Sequence, residues 1–276
     1  MALVFDVQQA NGKPDDNRRP GTACPFCDTE GLANIIQRDG DCIWLENRFK
    51  TLRATRQTVL IESADHDADL VTYEPDELHH VMRFALGCWQ QMIDSQQYRS
   101  VLMYKNKGPL SGGSLVHPHM QIVGLEQEDG YAALTLANFE GIAVWQQGRI
   151  SANISTEPIM GFFEVNVSAP QGIAASDDAR DQAEADLFAD AIQWPCAISC
   201  TSTTAAARSR TTCSSTTWTA GPLPRRFRVG WFRPTLSAIV WPRLMPRPRS
   251  ISMLIACVRI WKRSYSKTNT RVMRTV

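Results

Sequence analysis

The chain has 276 residues, enough for one large or two small domains with a full core, and a net charge of +1 at pH 7. No run reaches the roughly 18 apolar residues that span a bilayer, and MALVFDVQQANGKPDD lacks the basic-then-apolar order of a secretion signal, so a cytoplasmic protein is expected. The near-neutral total hides a division: residues 1–193 carry all 28 acidic residues and 14 of the 29 basic ones, whereas residues 194–276 carry 15 basic residues and no acidic one.

Residues 1–23 are polar and rich in turn formers, which predicts an arm leading into Cys24-Pro25-Phe26-Cys27. In a reducing compartment these two cysteines read as metal ligands or free thiols rather than a disulfide. Short β-type runs follow at 42–46 (CIWLE) and 57–63 (QTVLIES). After Pro75, the three- and four-residue spacing of Leu78, Val81, Met82, Ala85, Leu86, Trp89, Met92 and Ile93 predicts an amphipathic helix, with His79 and His80 solvated on its first turns. Cys42 and Cys88 read as small core residues. A strand at 100–105 (SVLMYK) then leads into the most informative stretch, NKGPLSGGSLVHPHMQIVG at 106–124.

In that stretch a loop with three glycines and two serines, Gly108 to Ser114, offers backbone N–H groups and hydroxyls to an anion. The strand after it puts His117, His119 and Gln121 on one face and Pro118, Met120 and Ile122 on the other. Loop, histidine pair and glutamine together point to phosphate chemistry.

A second unit is expected from runs at 142–145, 149–155 and 161–167 and a helix over 176–193, where Ser176, Asp177 and Asp178 suit an N-terminus. It repeats the order of the first unit as far as the helix. The composition then changes at Gln193: residues 194–276 contain no Asp, Glu, Gln or His but 13 Arg, 22 Ser and Thr, 7 Pro and 5 of the chain's 8 Trp. With acidic residues ordinarily at roughly one position in eight, such an absence is not a chance fluctuation. A basic tail binding nucleic acid through its phosphates is one reading, but such tails are Lys-rich and poor in Trp and Cys. The favoured reading is a shift of reading frame, which leaves the second unit without its last two strands and the tail without a packed core.

The stretch at 106–124 resembles the active-site segment of galactose-1-phosphate uridylyltransferases, the transferase branch of the histidine-triad superfamily, whose signature is an Asn-Lys-Gly loop followed by His-Pro-His-x-Gln. Asn106, Lys107 and Gly108 match the loop; Ser114, His117, Pro118, His119 and Gln121 match the rest without a gap. Upstream, Cys24 and Cys27 resemble the family's zinc-binding Cys-x-x-Cys, His66 its third zinc ligand, and Ala33, Asn47, Arg48 and Phe49 its nucleotide-contacting positions. The resemblance covers about residues 20–125, lacks the family's iron-binding residues, and is closer still to a short bacterial branch of the superfamily.

The resemblance implies an α+β, histidine-triad-like fold: an antiparallel sheet with helices, in two tandem units over 24–125 and 126–193. It implies zinc on Cys24, Cys27, His66 and His117, His119 as the nucleophile with Gln121 beside it, and substrate contacts from Ala33, Asn47, Arg48, Asn106, Gly108, Ser114 and Gln121. The expected partners are a nucleotide sugar or other nucleotide substrate and, as in the family, a second subunit in a homodimer. Neither a membrane nor a nucleic acid is expected. The leading function is a nucleotidyltransferase of the hexose-1-phosphate uridylyltransferase type. The alternatives are a dinucleoside polyphosphate phosphorylase or adenylyltransferase, and a catalytically silent zinc-containing nucleotide-binding protein.

Overall fold

A computed structural model of the chain describes residues 4–232 except 7, 10–11, 16–20, 22, 108–112, 160–163, 171–172, 174–177, 205–214 and 221–225. Residues 1–234 form one compact unit; the second, 235–276, lies outside the described residues.

The first repeat starts with three antiparallel strands, β1 (Ile35–Asp39), β2 (Cys42–Glu46) and β3 (Thr55–Ile61). Helix α1 (Pro75–Asp94) follows, and β4 (Ser100–Lys105) and β5 (His119–Leu125) complete the repeat. Pro75 opens α1 where its missing N–H is harmless, and Asp76 and Glu77 in the first turn complement the helix dipole. The helix buries Leu78, Val81, Met82, Phe84, Ala85, Leu86, Cys88, Trp89 and Met92, and Trp89 Nε1 donates to the Val101 carbonyl of β4 at 3.0 Å. Each large apolar side chain so buried contributes about 1.5–3 kcal/mol. Met120 and Ile122 of β5 are buried, as the expected alternation requires, and Cys42 and Cys88 are core residues.

The second repeat has the same order: β6 (Gly141–Gln147), β7 (Ile150–Ser155), β8 (Val165–Pro170), α2 (Ala179–Thr204), β9 (Ser215–Ala220) and β10 (Arg226–Phe232). One ten-stranded antiparallel sheet results, ordered β1-β2-β3-β5-β4-β9-β10-β8-β7-β6. Its halves mirror each other about the β4·β9 pair, in which Tyr104 faces Thr217. This is an α+β architecture with two tandem repeats.

The second repeat differs from expectation in two ways. Helix α2 does not stop at Gln193 but runs through Pro195 to Thr204, although the ring costs one backbone hydrogen bond. Two strands follow it, where none was expected. STTWTA and RFRVGWF are rich in β-branched and aromatic residues, and ladder pairing uses only backbone groups, so the loss of acidic residues does not forbid it. Of the expected helix start, Asp178 Oδ1 accepts from the Arg180 amide at 2.8 Å, while Ser176 and Asp177 lie outside the described residues.

The two helices join the repeats. His79, expected in solvent, is largely buried, with Nε2 2.7 Å from Asp190 Oδ1 of α2, while Arg83 meets Asp186 at 3.2 Å. Only His80 stays exposed. Gln193 Nε2 donates to the carbonyls of Leu70 (2.8 Å) and Tyr73 (2.9 Å), tying α2 to the loop between β3 and α1. No helix among the described residues is long and apolar enough to cross a membrane.

Candidate active site and metal centre

The Cys-x-x-Cys segment forms a turn in which the Cys27 amide donates to the Cys24 carbonyl at 3.3 Å, placing both thiols on one side. His66, on the loop after β3, and His117, just before β5, complete a group whose four ligand atoms lie within 4.8 Å of one another. Cys27 Sγ is 3.4 Å from His66 Nδ1 and 3.5 Å from His117 Nδ1. Tetrahedral zinc sets with S and N ligands have neighbouring ligand atoms about 3.4–3.8 Å apart, so the donor set and its size suit a divalent metal ion. Burial, with the Cys27 thiol beside it, pushes the Cys24 thiol up to about 11, and a cation held there would favour its thiolate.

His117 Nε2 lies 2.9 Å from the carbonyl of Ser63. That carbonyl can only accept, so Nε2 carries the proton and Nδ1 turns its lone pair to the thiols, the outer hydrogen bond that orients metal-binding imidazoles.

His119 opens β5 and is buried, with Ile61 of β3 as its register partner. Its Nδ1 lies 2.8 Å from the carbonyl of His117. By the same reasoning Nδ1 is the protonated nitrogen and Nε2 holds a free lone pair. Burial, helped by Lys105, His117 and Lys107, lowers the imidazole to about 4 against the pull of this hydrogen bond, so the ring is neutral near pH 7.

Phe26 lies edge-on to both histidines, with centroids 5.9 Å from His117 and 5.4 Å from His119. Glu62, the residue after β3, is buried and accepts from Lys105 Nζ at 2.6 and 2.7 Å and from the Tyr73 hydroxyl at 3.1 Å; Asp69 Oδ1 is 3.3 Å from the same ammonium. The cluster fixes the end of β4, hence the start of the Asn106 loop, against the segment that carries Ser63 and His66. Lys107 Nζ adds contacts to the carbonyls of Ala68 (3.4 Å) and Val116 (3.3 Å).

Cys24, Cys27, His66 and His117 thus come together, and His119 and Gln121 follow two and four residues after His117. Asn106 and Ser114 are half-buried at the two ends of the loop; Gly108 lies outside the described residues. Asn47 spends its carboxamide locally, accepting from the Phe49 amide at 2.9 Å, while Ala33 and Arg48 are exposed. Phe26 stood inside a motif read only for its cysteines. The Glu62–Lys105 pair spans 43 residues and left no spacing signal.

Residues 5–128 match the N-terminal domain of a family described as a domain of unknown function, DUF4931. No curated protein matches the chain in sequence. Among solved structures, a DUF4931 family protein from Bacillus cereus ATCC 10987 is 27% identical, with 82% of this chain and 99% of that one covered and a TM-score of 0.67. A uridylyltransferase is 18% identical, with 87% of this chain and 92% of that one covered at 0.60. An ADP-glucose phosphorylase from Arabidopsis thaliana is 13% identical, with 87% and 91% covered at 0.58. The chain therefore shares its fold with these uridylyltransferase- and phosphorylase-type structures, and its residues 5–128 match the N-terminal domain of the DUF4931 family.

Proposed function

We propose that the chain is a nucleotidyltransferase of the hexose-1-phosphate uridylyltransferase type, working through a nucleotide bound covalently to His119. The observation that carries this reading is the 2.8 Å hydrogen bond from His119 Nδ1 to the His117 carbonyl, which leaves Nε2 as an unprotonated nucleophile.

In the first step the Nε2 lone pair attacks the α-phosphorus of a nucleoside diphosphate sugar. A P–N bond forms, the bridging P–O bond breaks, and the sugar 1-phosphate leaves with the bond's electron pair. In the second step a phosphate oxygen of the acceptor attacks the same phosphorus, the P–N bond breaks, and its electrons return to Nε2. Both leaving groups are stable without a proton, so an amide at position 121, which cannot act as an acid, suffices by hydrogen-bonding a phosphoryl oxygen. Asn106, the loop amides and Ser114 would hold the remaining phosphoryl charge, where most of the stabilisation in such transfers arises. Phe26 lies edge-on beside the His119 ring.

Cys24, Cys27, His66 and His117 would hold zinc, which fills its four positions with protein ligands and so supplies rigidity to the strand bearing His119. A reducing, cytoplasmic setting keeps the two thiols available. Acceptance of inorganic phosphate instead of a sugar phosphate would make the enzyme a phosphorylase by the same first step.

The test is incubation with α-32P-labelled UDP-glucose, ADP-glucose or a dinucleoside tetraphosphate, followed by alkaline quenching and peptide mapping. Acid-labile label on the His119 peptide, absent in His119→Ala, is expected, and the donor that labels identifies the nucleotide. Binding of all donors without labelling would overturn the proposal in favour of a silent nucleotide-binding protein.

A further inference from the structure

Beside Gln121, on the neighbouring strand, stands a side chain the reaction above leaves unused. Tyr104 and Gln121 are register partners across the β4·β5 ladder, and the Tyr104 hydroxyl lies 3.2 Å from Gln121 Oε1. Residues two apart on a strand share a face about 7 Å apart, which puts this pair on the His119 side of the sheet. Strand β4 is held on both edges, by β5 and by β9, so the Tyr104 backbone is fixed.

A carboxamide has two unlike ends, an oxygen that only accepts and a nitrogen that only donates. Toward the anionic oxygens of a phosphoryl group the nitrogen end attracts and the oxygen end repels. Rotating the amide by half a turn exchanges them at almost no steric cost, so some neighbour must choose. A phenol can donate or accept, and here the Tyr104 hydroxyl stands against Oε1, where it donates and leaves Nε2 turned away from it. Burial pushes the Tyr104 phenol up to about 12, so the proton stays through the physiological range.

We propose that Tyr104 is a positioning residue whose hydroxyl clamps the Gln121 carboxamide with Nε2 turned toward the phosphoryl group that His119 takes up. This rests on the nucleotidyl-transfer reading of the site. Tyr104→Phe removes one oxygen from a fixed ring, and retention of the fold is checked by thermal melting.

Two measurements on the full chain test the clamp. In single turnover with the donor that labels the wild type, Tyr104→Phe slows labelling of His119 about tenfold or more, with donor affinity within about twofold, because the lost contact acts on transferring charge. In a Gln121→Ala background the same substitution has no further effect, the signature of two residues acting as one. The second measurement needs no turnover. In protein labelled with 15N-glutamine, the Gln121 side-chain amide pair, assigned by its loss in Gln121→Glu, shifts or broadens in Tyr104→Phe while the other glutamines stay in place. An unchanged Gln121 amide overturns the clamp, as does an unchanged labelling rate or an additive effect in the double variant. A wild-type chain that binds donors without labelling overturns the transfer reading and the catalytic role of Tyr104 with it, and the amide signals then still decide whether the hydroxyl holds Gln121.

Discussion

Lys105 Nζ sits 2.6 and 2.7 Å from the two carboxylate oxygens of Glu62, and neither side chain has appreciable contact with water. With Asp69 3.3 Å away, one ammonium serves two carboxylates inside the protein, so removing it leaves buried negative charge without a partner. Lys105→Met is expected to cost about 3–5 kcal/mol in chemical denaturation. Glu62→Gln in the same chain should recover much of that loss, since the amide still accepts from Tyr73. A Lys105→Met variant as stable as the wild type would show that the pair does not hold the loop.

His117 and His119 are two residues apart but face different tasks. His119→Ala is expected to abolish nucleotidyl labelling and leave metal content and melting temperature near wild type. His117→Ala should lower both the metal content and stability, because it removes a ligand and the bond to Ser63 together. Parallel metal analysis and melting curves check this, and equal metal loss in both variants would undo the division of roles.

One tightly bound zinc per chain is expected from carefully purified protein. Chelation should raise hydrogen exchange in β5 and around His66 more than in β6 and β7, since the four ligands lie in the first repeat and the segment just before it. A metal-free protein that melts normally would return Cys24 and Cys27 to the status of plain thiols.

Glu164 is buried, its Oε2 accepting from the Ile159 amide at 2.9 Å, and burial pushes its carboxyl up to about 7. The folded carboxyl thus keeps its proton at pH values where the unfolded one, near 4.5, has lost it. The folded state then binds more protons in that window, so stability falls as pH rises from about 4.5 through 7, by up to about 3 kcal/mol. Glu164→Gln should flatten this part of the stability–pH curve. An unchanged slope would mean that the group is ionised in the fold.

The segment from Trp194 onward places β9 and β10 in the sheet yet contains no acidic residue in 83 positions. We infer that it is read out of frame. The gene, read in the other two frames after the codon for Gln193, should restore acidic residues and alternating strand patterns. If neither frame does, and the segment resists protease in the purified protein, a genuine basic segment is present.

The sequence alone determined what depends on neighbours along the chain. The amphipathic stripe of α1 follows from three- and four-residue spacing, the burial of Met120 and Ile122 beside His119 from the two-residue period of a strand, and the paired thiols from a four-residue turn. Tertiary structure decided what depends on chain segments that meet only after folding. Glu62 reaches Lys105 across 43 residues, His79 reaches Asp190 across 111, and Tyr104 meets Gln121 only through the β4·β5 register. The last strands of the second repeat belong to this group as well: β9 and β10 lie where the open backbone edges of β4 and β8 can be paired, a requirement set by the sheet rather than by their own composition.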